Sequence, residues 1–144
     1  MAEESTTPDL VELTQRLLDV SNLHDLDGAM RFYDANAVFD ASHGVGVFEG
    51  STAIEGFFED YLASFENLVF DLESISVLPS RVTLCVVGQR ARPTGGTTGL
   101  HGDVGMSEGW VMRWSSEGLV LCVTTYGNIA EARAAAERLA EERR

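Results

Sequence analysis

The chain of 144 residues has no lysine, so its ten cations are all arginines, and they face 23 acidic side chains. The net charge of −13 is unevenly placed: residues 1–73 hold 16 acids against Arg16 and Arg31, whereas residues 74–144 hold seven acids against eight arginines. A surface of this sign repels phosphate backbones and anionic lipid, so neither a nucleic acid nor a membrane is an expected partner. Only two cysteines are present, Cys85 and Cys122, each inside an apolar run. They are expected as free buried thiols in a reducing cytoplasm. No cluster of His and Cys has metal-ligand spacing, so no metal and no cofactor are expected. The longest apolar run, Leu119-Val120-Leu121-Cys122-Val123, is far too short to cross a bilayer. The stretch Met1–Thr7 lacks the apolar segment of a secretory signal.

What is there fits one domain with a real core. Nothing between residues 8 and 140 reads as a linker or a repeat, so the domain is expected to span 8–140, with 1–7 and 141–144 as disordered tails. Thr7-Pro8 predicts a helix start, and Leu10, Leu13, Leu17 and Val20 recur at helical spacing behind it. Asp25 predicts the cap of a shorter helix through Leu26, Ala29, Met30 and Tyr33. Val38–Ala41 reads as a strand, followed by a turn around His43, Gly44 and Gly46. Thr52 and Glu55 have capping-box spacing and open a helix carrying Ile54, Phe57, Phe58, Tyr61, Leu62 and Phe65.

From residue 67 the period changes to that of strands, with a phase change near Ser74 that predicts a bulge. Pro79-Ser80 turns into Val82–Val87, a Gly-rich connection leads to Val104–Trp114, and Ser116-Glu117-Gly118 turns into Leu119–Tyr126. Connections this short force neighbouring strands to be antiparallel. A last, alanine-rich helix opens at Asn128, with Glu131 three residues on. Helices first and a meander afterwards predict an α+β fold: a curved antiparallel sheet wrapped around helices, which cover one face and leave a cone-shaped pocket.

In this order the sequence resembles the SnoaL-like and ketosteroid-isomerase-like families of the nuclear transport factor two-like superfamily. Met30–Val38 looks like that group's helix end, Tyr and acidic turn before a strand. Gly50–Ile54 with Phe57-Phe58 looks like its glycine before an aromatic helix, and Trp110–Trp114 with Glu117-Gly118 and Tyr126 like its closing hairpin. The resemblance covers residues 10–138 and implies the same cone-shaped fold and dimerisation through the exposed sheet face. Matched position by position, the isomerases' general-base Asp falls on Ala41, the oxyanion-hole Tyr on Leu17, the oxyanion-hole Asp on Trp110 and a supporting Tyr on Phe58. Thr125 stands where the superfamily's epoxide hydrolases have an Asp in the final strand. Proton abstraction needs a base in reach and donors for the developing oxyanion, so neither chemistry is expected here by those groups.

The same substitutions imply an apolar, aromatic lining of Leu17, Tyr33, Ala41, Phe57, Phe58, Tyr61, Trp110 and Thr125, suited to a small hydrophobic molecule. Two readings stay open, an open cavity or a centre filled by these side chains. Candidate catalytic groups are Asp40, Glu108 and His43. Asp40 is one residue out of phase with Ala41, which favours an outward position on a short edge strand. Glu108 shares strand parity with Trp110, so the two face the same way, and its carboxylate either hydrogen-bonds a ligand or pairs with Arg90 on the neighbouring strand. His43 and His101 sit beside glycines in loops that could rim the pocket, whereas His24 reads as ordinary. Gly95–Gly99 lacks the ending of a phosphate-binding loop and reads as a flap or long hairpin. Three functions follow: a binding domain for a hydrophobic metabolite; an isomerase, cyclase or dehydratase using a pocket carboxylate; or a non-catalytic interaction domain.

Overall fold

The computed structural model describes residues 9–41, 46–93 and 104–142. Helix α1 (Leu10–Asn22) buries Leu10, Thr14, Leu17 and Leu18. Its cap is Asp9, whose carboxylate accepts the amides of Val11 and Glu12. The helix therefore starts after the expected Thr7-Pro8 pair, which lies outside the described residues. Helix α2 (Leu26–Met30) is capped by Asp25 as expected, but it ends before Tyr33, which opens the longer strand β1 (Tyr33–Ala41). Where a turn alone is expected, residues Gly46–Glu49 form strand β2 against β1. Gly50, at φ 92°, reverses the chain into α3 (Ser51–Ala63). Thr52 thus lies inside the first turn, and no side chain caps this helix.

The remaining strands are β3 (Phe65–Leu78), β4 (Val82–Pro93), β5 (Val104–Trp114) and β6 (Val120–Tyr126). The expected bulge is present, as the β3–β4 register shifts between Leu72 and Ser74. Ser80 and Arg81, at φ 65° and 58°, form the tight turn between these strands. The sheet runs β2-β1-β6-β5-β4-β3. All its pairs are antiparallel except β1 with β6, which makes the sheet mixed within the α+β class. The long excursion through α3 and the meander supplies the connection that parallel pairing needs.

Its two faces are covered differently. Helices α1, α2 and α3 close the inner face over a core that includes Phe39, Phe70, Cys85, Val87, Trp110 and Met112. Helix α4 (Ile129–Glu142), capped by Asn128 through the amide of Glu131 at 2.9 Å, lies on the outer face instead. Ala132, Ala136 and Ala140 pack there on Val82, Leu84 and Val111. The expectation that the helices share one face is corrected by this placement. The reason is in the strands: Leu84 pairs with Val111 and Cys85 with Trp110, so apolar side chains stand on both faces.

At the free edge of β3, a side chain of α1 bonds the backbone of one residue. Asn22 donates to the Phe70 carbonyl at 2.9 Å and accepts the Phe70 amide at 2.7 Å, in the manner of a pairing strand.

Two glycines separate packing from propensity. A Cβ on Gly109 would stand 2.5 Å from the Ala132 Cβ, a rigid neighbour, whereas one on Gly56 in α3 would meet nothing within 4 Å. Gly109→Ala is expected to lower the unfolding free energy by about 1–3 kcal/mol through overpacking. Gly56→Ala is expected to raise it by about 0.5–1 kcal/mol. Urea midpoints check both; a neutral Gly109→Ala would mean that α4 does not sit this close.

Candidate functional site

Strand parity sends Phe70 of β3, Gln89 of β4, Met106, Glu108 and Trp110 of β5, Thr125 of β6 and Phe39 and Ala41 of β1 to the inner face, where α3 adds Phe57, Phe58 and Tyr61. These side chains, with Gly127, line a cavity of about 280 Å³. A second cavity of only about 20 Å³, room for roughly one water, lies deeper. Leu17, Tyr33, Leu62 and the α1–α2 connection line it. Phe58, Phe70 and Trp110 belong to both and form the partition. Phe39 meets Phe58 and Trp110 edge-on, with ring centroids 5.1 and 6.0 Å apart, and Phe57 stacks on Phe48 at 4.5 Å. The chain's own aromatics thus pack between the two cavities and leave the usable volume in the larger one.

All eight lining residues expected from the sequence reach one cavity or the other: Ala41, Phe57, Tyr61 and Thr125 the larger, Leu17 and Tyr33 the smaller, Phe58 and Trp110 both. Glu108 stands beside Trp110 on the inner face, as parity requires. The alternative in which Arg90 engages it does not form, because Arg90 faces outward and pairs with Asp71 at 3.2 Å. Asp40 pairs with Val47 and Thr124, on the face away from Phe39 and Ala41, and lines neither cavity. His43, His101 and Gly95–Gly99 lie outside the described residues. His24, at φ 60°, puts Nε2 3.4 Å from the Leu68 carbonyl at the smaller cavity.

Polar groups on the cavity wall form one connected chain. Tyr61 donates its hydroxyl to Gln89 Oε1 at 2.6 Å. Gln89 Nε2 donates to Glu108 Oε1 at 2.9 Å, and Trp110 Nε1 donates to the same oxygen at 3.0 Å. Gln89 is the residue that the sequence reading missed. Its signal was available: it shares parity with buried Cys85 and Val87, so a polar side chain there has to face the interior. Burial, and then the nearby Glu108 charge, push the Tyr61 phenol above its ordinary pKa. Burial does the same to Tyr33. The Cys85 thiol is pushed up to about 11 by burial, against hydrogen bonds with Thr83 and Thr14 that lower it, so it is no nucleophile at neutral pH. Among the described residues, no three His, Cys, Asp or Glu side chains gather as a metal site, and no helix is long and apolar enough to cross a membrane.

Both phenols keep their protons past the ordinary value of 10.0. A raised folded pKa stabilises the protein fully below the unfolded value, and that contribution is lost as pH climbs beyond it. Unfolding free energy is therefore expected to fall above pH 10, with fully buried Tyr33 ionising only as the fold opens and Tyr61 ionising later than an exposed tyrosine. NMR of ring-labelled tyrosines across this range checks the order, and either phenol ionising in the intact fold at pH 10 contradicts it.

No curated protein matches the chain in sequence. Solved structures do. One from Shewanella putrefaciens CN-32, described as a SnoaL-like polyketide cyclase, aligns at 15% identity and TM-score 0.71, covering 92% of this chain and 98% of that one. An epoxide hydrolase/cyclase-like enzyme of pyran ring formation in salinomycin aligns at 16% and 0.68, covering 90% and 96%. A computationally designed 17-OHP binder aligns at 18% and 0.65, covering 83% and 93%. Identities this low carry the fold alone. The model of the SnoaL-like domain matches residues 14–114, most of the inner-face architecture just described, and on that match the chain belongs to the SnoaL-like domain family.

Proposed function

We propose that this domain binds a small hydrophobic molecule in the larger cavity. The observation that carries the reading is the combination of about 280 Å³ of space, a mainly aromatic lining and one fixed chain of polar groups. Sites for small molecules have this composition: apolar walls supply affinity, and a few placed polar atoms set orientation. The designed 17-OHP binder of the same fold supports it by precedent of architecture. A cytoplasmic location belongs to the proposal, supported by the free thiols Cys85 and Cys122.

A second reading, an isomerase, cyclase or dehydratase, has its own support. Gln89 and Trp110 both donate to Glu108 Oε1, and Oε2 takes part in neither bond. A carboxylate on a cavity wall, held by one oxygen through two donors, is placed to take or return a proton. Among the described residues, no second polar cluster stands ready for a developing oxyanion, so binding leads.

Homodimerisation through the outer sheet face is part of the proposal in a narrower form. Helix α4 takes the β4–β5 region, which leaves half-buried Val38, Cys122 and Thr124 on β1 and β6 for a second copy. Sedimentation that finds only a 15.6 kDa species at micromolar concentration would remove it.

Native mass spectrometry of the freshly purified protein, set against its denatured mass, tests the binding reading. A retained small molecule that is lost in Ala41→Trp, a substitution that fills the cavity, is the expected outcome. Retention unchanged by Ala41→Trp would place the molecule elsewhere.

A further inference from the structure

The larger cavity is lopsided in its hydrogen-bonding capacity. Its wall N–H and O–H groups are largely committed to each other: the Tyr61 hydroxyl to Gln89, the Gln89 amide to Glu108, and the Trp110 indole to Glu108. Left over as donors are the second Gln89 amide hydrogen and the Thr125 hydroxyl. Acceptor capacity remains on Glu108 Oε2, on the Tyr61 oxygen and on Thr125. Among the described residues, Glu108 is the one charged side chain on the lining, and no Arg, Lys or His joins it. Around it stand Phe39, Phe57, Phe58, Tyr61, Phe70 and Trp110.

We infer that the ligand class is an apolar molecule bearing a protonated amine, with the ammonium group held by Glu108 and the aromatic walls and its carbon skeleton filling the rest. This rests on the cavity being the binding site and adds the charge of what it takes. Aromatic ring faces attract a cation, and a carboxylate with an uncommitted oxygen completes the recognition. An anion of the same shape meets Glu108 and, among the described lining residues, no cation to answer it, so its entry is opposed. A neutral alcohol can donate to Glu108, but it gains neither the charge pair nor the attraction to the rings.

The test is calorimetric titration with three ligands sharing one skeleton: naphthylmethylamine, naphthylmethanol and naphthoate. The amine is expected to bind about tenfold more tightly than the alcohol, a difference of about 1.4 kcal/mol, with naphthoate weakest. Glu108→Gln is expected to bring the amine down to the level of the alcohol and leave the alcohol within about threefold. The acidic protein attracts every cation at long range, so Glu117→Gln, which removes one charge on the exposed β5–β6 turn, serves as the control and is expected to keep the preference. Alcohol or naphthoate binding as tightly as the amine overturns the inference and leaves the cavity a binding site. So does an amine preference that survives Glu108→Gln. Failure of all three ligands to bind removes the binding reading itself, and this inference with it.

Discussion

At the centre of the sheet, Cys85 pairs with Trp110 facing inward, and one residue earlier Leu84 pairs with Val111 facing outward. All four side chains are buried. An antiparallel sheet ordinarily packs one face and leaves the other to water, but β4 and β5 need cover on both sides. The two covers differ in thickness. On the outer face α4 approaches so closely that Gly109 and a stripe of alanines are what fit. On the inner face three helices stand off behind large rings, and space is left over between them. The cavity exists because the flat packing was placed on one side and the bulky packing on the other.

That arrangement forces polar atoms of the inner face to find partners among themselves. Thr83, fully buried, accepts the Trp114 indole at 3.0 Å, and Thr14 donates to the Leu10 carbonyl at 2.8 Å. Gln89 uses its oxygen for Tyr61 and its nitrogen for Glu108. Among the described residues, no buried side-chain nitrogen or oxygen lacks a partner. Each unsatisfied atom would cost about 1–3 kcal/mol, so the chain of bonds on the cavity wall holds Glu108 in one orientation as well as stabilising the fold.

Much of this was legible before the fold was seen. Alternation placed Glu108 with Trp110, and the one-residue offset placed Asp40 apart from Ala41, because side-chain direction in a strand follows from parity alone. The bulge near Ser74 and the caps at Asp25 and Asn128 were legible for equally local reasons. Three things were not. The four-residue strand β2 is too short to show a period. The side of the sheet that α4 takes depends on tertiary packing, although the alanine stripe and Gly109 together hint at a close approach. Gln89 lies beyond the expected strand Val82–Val87, so its parity with Cys85 and Val87 counts only once β4 continues to Pro93.

The pairing of β1 with β6 joins distant parts of the chain: Val38 reaches Cys122 across more than half of the sequence, and no local contact can stand in for it. Closing so large a loop is entropically costly, and pairings of this sequence separation slow folding. During synthesis β1 emerges long before β6, its parallel partner in the sheet. The aromatic side chains of β1 and α3 that wall the cavity meet Phe70 and Trp110 only once β3 and β5 have followed. The acidic N-terminal half, two arginines against 16 acids, then keeps like-charged nascent chains apart.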